Sequence, residues 1–153
     1  MALLKIVSGG QTGADRAALD WAIANGVPHG GWCPHGRRAE DGAIDARYQL
    51  TETPSKDYEQ RTEWNVRDGD GTLIISLLPE LSSGSQRTLE IARQLGKPCL
   101  HLHPGNANPG AIREFIEQHA IRVLNVAGPR ESSQPGIGKY VKEVLDTALR
   151  GEG

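Results

Sequence analysis

The sequence predicts an α/β protein with a mainly parallel sheet covered by helices on both faces, a three-layer sandwich. Two observations carry that expectation. Short apolar, β-branched runs alternate five times with segments of helical period, the order that produces crossover connections and therefore parallel strands. The 153 residues are also about the size of one compact domain, large enough to bury a core without disulfides or metals. A single domain over residues 1–153 is expected.

The first strand is expected over Leu4–Ser8, overlapping the apolar run LLKIV at 3–7. A helix over Ala14–Asn25 follows and stops at Asn25-Gly26, a usual C-terminal signal. Further strands are expected over Gly31–Cys33, Thr72–Ser76, Pro98–His103 and Arg122–Ala127. Further helices are expected over Asp57–Val66, Arg87–Leu95, Pro109–His119 and Ile137–Leu149, the one at 87–95 ended by Gly96-Lys-Pro98. The stretch His35–Lys56 has no sustained period. An irregular segment of that length in a compact domain is usually functional, and its clustered charges favour that reading here.

The chain leaves the first strand through SGGQTGADR at 8–16. Glycines after a strand permit positive φ and close approach of a ligand, and the first turn of the next helix offers free N–H groups backed by its dipole. The spacing GGxxG is neither the dinucleotide fingerprint nor a P-loop. Taken alone, it is equally a glycine-rich turn capped by Thr12, with Asp15 complementing the dipole and Arg16 pairing with Asp20 one turn on. What favours a ligand is repetition, because the loops leaving the carboxyl ends of parallel strands all open on one edge. The candidate site residues there are Gly9, Gly10, Gln11, Thr12, Gly13, Asp15 and Arg16 from the first loop and Arg37, Arg38, Glu40 and Asp41 from the second. Arg61, Asn65 and Asp68 join them from one side of a helix by i, i+4, i+7 spacing, with Ser83, Gly84, Ser85 and Thr88 after the third strand and Arg130 after the fifth. Together they point to a phosphorylated or otherwise anionic ligand.

Composition excludes other classes. Seventeen Lys and Arg against nineteen Asp and Glu give a net charge of −2, so no global basic field holds a nucleic-acid backbone. Cys33 and Cys99 lie far apart behind a start with no secretory pattern, which predicts reduced thiols and a cytoplasmic setting. The near-apolar run at 72–78 is far short of the roughly 20 residues a membrane span needs. His101 and His103 alternate on a predicted strand but have no third ligand nearby, and Cys33 and His35 flank Pro34 at the rim, so no structural metal is expected.

The stretches SGGQTGADRAAL (8–19), GWCPHGRRAEDG (31–42), RTEWNVRDGDGTL (61–73) and LNVAGPRES (124–132) resemble the putative molybdenum carrier family, over nearly the whole chain. That family is similar to the molybdenum cofactor carrier proteins, within a wider group that includes the lonely-guy and lysine-decarboxylase-like proteins. The resemblance implies a Rossmann-like domain, assembly into homo-oligomers (dimer or tetramer), a role in holding molybdenum cofactor (molybdopterin), and release to a recipient molybdoenzyme. Gly9, Gly10, Thr12 and Gly13 would suit the cofactor's phosphate or an oxyanion of its metal centre. Arg37, Arg38 and Arg130 would meet whichever anion lies nearer the rim.

Two other readings stay open. One is a sensor of a nucleotide derivative, without chemistry. The other is a nucleotide N-glycosidase, because PELSSGSQRTLE at 79–90 resembles the lonely-guy signature through Thr88 and Glu90. It lacks the adjacent glycines, its acid falls one residue early, and Ser85 and Gln86 also depart from the carrier family's form. Acid or base could come from Asp15, Glu40, Asp41, Asp68 or Asp70. The helix at 14–25 is apolar more broadly than a one-sided surface helix requires. Either Trp21 or Trp64 anchors a contact between subunits, or a neighbouring helix of the same chain covers the face.

Overall fold

The computed structural model describes residues 3–149. Five strands form one parallel sheet: β1 (Lys5–Val7), β2 (His29–Gly30), β7 (Gly71–Ile75), β8 (Cys99–Leu102) and β9 (Val123–Ala127), ordered β2-β1-β9-β7-β8. The short strands β3 (Trp32–Cys33) and β6 (Thr51–Glu52) pair in parallel beside it, and β4 (Arg38–Ala39) and β5 (Gly42–Ala43) make a small hairpin. The helices are α1 (Ala14–Ala24), α2 (Tyr58–Asp68), α3 (Ser83–Gln94), α4 (Pro109–Gln118) and α5 (Ile137–Leu149).

The strand order explains where a crevice forms. The last strand, β9, lies between the first, β1, and the third of the main sheet, β7, with Ile6 opposite Leu124 and Thr72 opposite Asn125. If β9 is counted first, the order becomes 3-2-1-4-5, the usual dinucleotide-fold arrangement with its chain ends moved. The connections diverge between β9 and β7, which is the topological switch point.

Period-2 alternation sorts the strand side chains to two faces. Ile6, Leu73, Ile75, Leu124 and Val126 pack with α1, α4 and α5 through Ala18, Trp21, Ile112, Ile116, Val141 and Leu145. On the other face, Val66 of α2 packs with Ile91 and Ala92 of α3. Leu19, Cys33, Ile44 and Tyr48 form a third cluster that fastens the irregular segment to α1.

Several expectations need correction. The strand expected at Gly31–Cys33 is displaced: the main-sheet strand β2 is His29–Gly30, and Gly31, at φ +126°, turns the chain away so that Trp32–Cys33 form β3 in a separate small sheet. A Cβ on Gly31 would lie 2.3 Å from the Ser8 carbonyl oxygen, so only glycine passes there. The third helix starts four residues before the expected Arg87, because Ser82 is its N-cap and its hydroxyl accepts the Ser85 N–H at 3.4 Å. Thr12 does not cap α1; Gly13 holds that position, and Thr12 accepts the Glu131 N–H at 3.3 Å. Trp21 is buried within its own chain and donates to Asp146 at 3.3 Å, so α5 covers the broad apolar face of α1. Trp64 stacks edge-on against Trp32, centroids 4.8 Å apart. Among the described residues, no helix is long and apolar enough to cross a membrane.

Candidate functional site

A cleft of about 310 Å³ opens over the carboxyl ends of β9 and β7, at the switch point. One wall is the N-terminal half of α2, with Tyr58, Glu59, Arg61 and Thr62; the other is the start of α3, with Ser82, Ser83, Gly84, Ser85, Arg87 and Thr88. Ala127, Gly128, Pro129, Arg130 and Ser133 come from the loop after β9, and Gln11 and Asp15 from the loop after β1. That volume is at the lower end of the roughly 300–1,000 Å³ usual for small-molecule sites.

The two helix N-termini at this edge differ. The start of α1 is closed by protein: the Ala14 N–H donates to Pro129 O at 3.2 Å and the Arg16 N–H to Gln11 O at 3.0 Å. The glycines before it are packed, since a Cβ on Gly9 would strike the Arg61 side chain at 2.3 Å, one on Gly10 would strike Leu50, and one on Gly13 would strike Pro129 O at 2.5 Å. The start of α3 is open. Nothing lies within 4 Å of where a Gly84 Cβ would stand, and the Ser83 and Gly84 N–H groups find no partner among the described residues. Free N–H groups with a helix dipole behind them attract an anion.

Two cleft residues have unused polar atoms. Gln11, 2% exposed, donates from Nε2 to Arg38 O at 2.8 Å, while its buried Oε1 has no partner among the described residues. Arg61 reaches Asp15 through Nη1 at 3.4 Å and lies over the Tyr58 ring at 5.6 Å, and its buried Nε is likewise unpartnered. Asp15 is buried, and burial pushes its pKa above the ordinary carboxylate value against the pull of Arg61 and the Gln11 N–H. Thr88 and Ser85 are buried beside them, the Thr88 hydroxyl donating to Gly84 O at 3.1 Å.

The remaining sequence candidates are placed as follows. Gly9, Gly10, Thr12 and Gly13 are not part of the cleft lining, and Gly9 packs against the Arg61 side chain. Glu40 ties three segments together: it accepts from the hydroxyls of Thr12 and of Ser132, the latter at 2.5 Å, and lies 3.9 Å from Arg130. Those hydroxyls hold its pKa below the usual value. Arg16 pairs with Asp41 at 2.5 Å and not with Asp20, which instead receives Arg47 and Tyr48 at 2.7 and 2.5 Å. The Tyr48 phenol is pushed up to about 12 by burial and by Asp20. Arg37 turns away from the cleft, its guanidinium donating to the carbonyls of Ile44, Asp45, Leu50 and Tyr48 at 2.7–3.5 Å. Arg38 lies over Tyr58 at 5.2 Å, close to the rim.

Asn65 and Asp68 share the Arg61 side of α2, yet they reach the β3 strand. Asn65 bonds the Trp32 backbone at 2.8 and 3.0 Å, and Asp68 accepts from the Trp32 indole at 2.7 Å. Glu90 points to Arg87 at 3.5 Å and is not part of the cleft lining. His101 contacts the Ser76 hydroxyl at 2.6 Å, and His103 accepts the Gly105 N–H. Cys33 is fully buried.

Sequence reasoning missed Tyr58, Glu59, Thr62, Ser82, Arg87, Gly128 and Ser133. The Tyr58–Arg61 pair, one helical turn apart, and the serine N-cap were the available signals.

Comparison with known proteins agrees with this architecture. A crystal structure described as a putative molybdenum carrier protein from Syntrophus aciditrophicus superposes with a TM-score of 0.91 at 48% identity, covering 97% of this chain and 96% of that one. Among curated proteins no significant match was found. Residues 6–149 match the circularly permutated YpsA SLOG family. A β9 strand inserted between the first and third strands is the topology such a permutation produces, and the chain belongs to that family.

Proposed function

We propose that this chain is a binding protein that carries a phosphorylated or otherwise anionic ligand in the switch-point cleft, and that molybdenum cofactor is the first ligand to test. The observation that carries the reading is the open first turn of α3, which lines the same cleft as the Arg61 side chain. Free N–H groups and Arg61 suit a phosphate or oxometal anion, with Arg130 and Arg87 at the rim. Hydroxyls of Ser83 and Ser85 add donors. The 48% identical neighbour, described as a putative molybdenum carrier protein, supports testing molybdenum-bearing anions first. A carrier of this kind needs no general base. It assembles as a homo-oligomer, dimer or tetramer, works in the cytoplasm and hands its cargo to a molybdoenzyme.

A second reading, a nucleotide N-glycosidase, is favoured by one observation: Asp15 is a buried acid within the same cleft. Purified protein screened by thermal shift against molybdenum cofactor, molybdate, AMP and ADP-ribose tests both readings. A ligand at 100 times its Kd stabilises by about 2.7 kcal/mol. Stabilisation by the cofactor is expected, and free base released from a nucleotide would overturn the carrier reading. Stabilisation by nucleotides alone, without base release, would point instead to a sensor.

A further inference from the structure

Asp15 and Arg61 are bound to each other in a way that an incoming anion must disturb. The Asp15 side chain is 4% exposed, and its carboxylate is met at 3.4 Å by Arg61 Nη1 and by the Gln11 N–H, with the Gly9 N–H beside them. Arg61 is therefore its principal counter-ion. Both residues line the cleft, beside the open start of α3. A ligand anion drawn to that helix start also draws on the Arg61 guanidinium, and two negative groups would then share one cation away from water. Buried like charges that share a site do not both stay ionised.

We propose that an anion entering the cleft takes over Arg61 from Asp15, and that Asp15 accepts one proton from solvent as it does so. The neutral carboxyl then becomes a hydrogen-bond donor to the ligand where a carboxylate would repel it. The inference rests on reading the cleft as an anion site. No covalent bond changes; the proton comes from water and leaves when the ligand does.

The charged groups around Asp15 leave this role to it alone. Arg16, on the same helix, is committed to Asp41 at 2.5 Å and to Gly10 O at 3.1 Å. From β1, the Ser8 hydroxyl donates to the Asp15 backbone carbonyl at 2.8 Å, not to the carboxylate. Arg61 is the charged neighbour from α2, and the loop between contributes only backbone N–H groups of Gly9 and Gln11. Across the cleft, Arg87 is paired with Glu59 at 2.5 Å and Glu90 at 3.5 Å, and Arg130 lies 3.9 Å from Glu40. The residues lining the cleft include no histidine, cysteine or lysine, and their one other carboxylate, Glu59, is exposed at the rim.

The test is isothermal titration calorimetry of the intact protein with ADP-ribose and with molybdate, neither of which takes up protons near neutral pH. Titrations in buffers of different ionisation enthalpy, from about pH 6 to 9, count protons exchanged per ligand bound. Uptake approaching one proton is expected somewhere in that range, with affinity falling up to about tenfold per pH unit across the same window. Binding with no proton uptake at any pH overturns the proposal while leaving the anion site intact. Failure of both probes to bind removes the site and the proposal together.

Asp15→Asn, a neutral stand-in for the protonated acid, should bind without proton uptake and more tightly than the native protein at the alkaline end. Weaker binding by the folded variant at every pH would overturn the proposal. If the variant does not fold, the proton count on the native protein decides alone.

Discussion

Replacing Gly13 by alanine tests the claim that protein, and not ligand, closes the start of α1. Gly13 sits at φ +83°, ψ −127°, a conformation that side chains rarely adopt. An added Cβ would lie 2.5 Å from Pro129 O, 2.6 Å from Glu131 N and 2.8 Å from Arg130 C, all backbone atoms with no rotamer to change. The unfavourable backbone costs about 1–3 kcal/mol. Forcing the 129–131 strap away costs roughly another 1–3 kcal/mol, the usual range for overpacking. The sum is about 2–6 kcal/mol, which for a chain of this size lowers Tm by roughly 5–20 °C.

Two companion variants separate the terms. Gly36→Ala also places a side chain at positive φ, +84°, but with no atom within 4 Å, so it should lose only about 1–2 kcal/mol. Gly84→Ala has neither problem and should keep or gain up to about 1 kcal/mol, as alanine does in a helix. Urea denaturation of the three proteins, compared at equal slope, gives the ranking. A Gly13→Ala protein no less stable than Gly36→Ala would refute the packing argument, and with it the assignment of the anion site to α3 in preference to α1.

Further outcomes follow from other contacts. Arg61→Ala should weaken anion binding about 10–100-fold, the worth of a charge-assisted hydrogen bond, and unchanged affinity by calorimetry would contradict the site. Arg37→Ala should cost about 2–4 kcal/mol by freeing the 44–50 segment, seen in denaturation midpoints, while ligand affinity measured well below Tm stays within about twofold. The N–H groups of Val123 and Arg122 both donate to Asp70 at 2.9 Å and hold its pKa below the ordinary value. Its contribution is therefore present above the unfolded pKa of about 3.9 and is lost as pH falls through the lower folded value. Asp70→Asn should thus be less stable than the native chain near neutrality, with the gap closing below about pH 4 in thermal melts.

How far the sequence discloses this molecule depends on whether a feature is local. The α1, α4 and α5 segments were legible because their apolar periods and stop signals, such as Asn25-Gly26, lie within the segments themselves. The convergence of loops at one edge also followed from strand–helix alternation. The first turn of α3 was missed because Ser82, Ser83, Gly84 and Ser85 are poor helix formers, and their order comes from the Ser82 cap with Ser85 buried behind it. Arg37 and Arg38 are adjacent and alike in sequence; only the fold turns one into the carbonyls of the 44–50 segment and leaves the other at the rim. Asp68 and Asn65 follow the helical spacing expected of them, but both side chains are taken up by Trp32 and only Arg61 of the three lines the cleft. Strand order has no local signature at all.

Placing β9 in the middle of the sheet makes the fold's completion depend on the end of the described chain. Until residues 123–127 emerge, the β1–β2 and β7–β8 pairs have inner rims of unpaired amides and carbonyls, Ile6 and Val7 on one side and Gly71–Ile74 on the other. Such raw edges invite pairing with other chains. A nascent chain therefore passes through a sticky stage that lasts until β9 has been synthesised, and a truncation upstream of Val123 leaves the β1–β2 and β7–β8 pairs without the strand that lies between them.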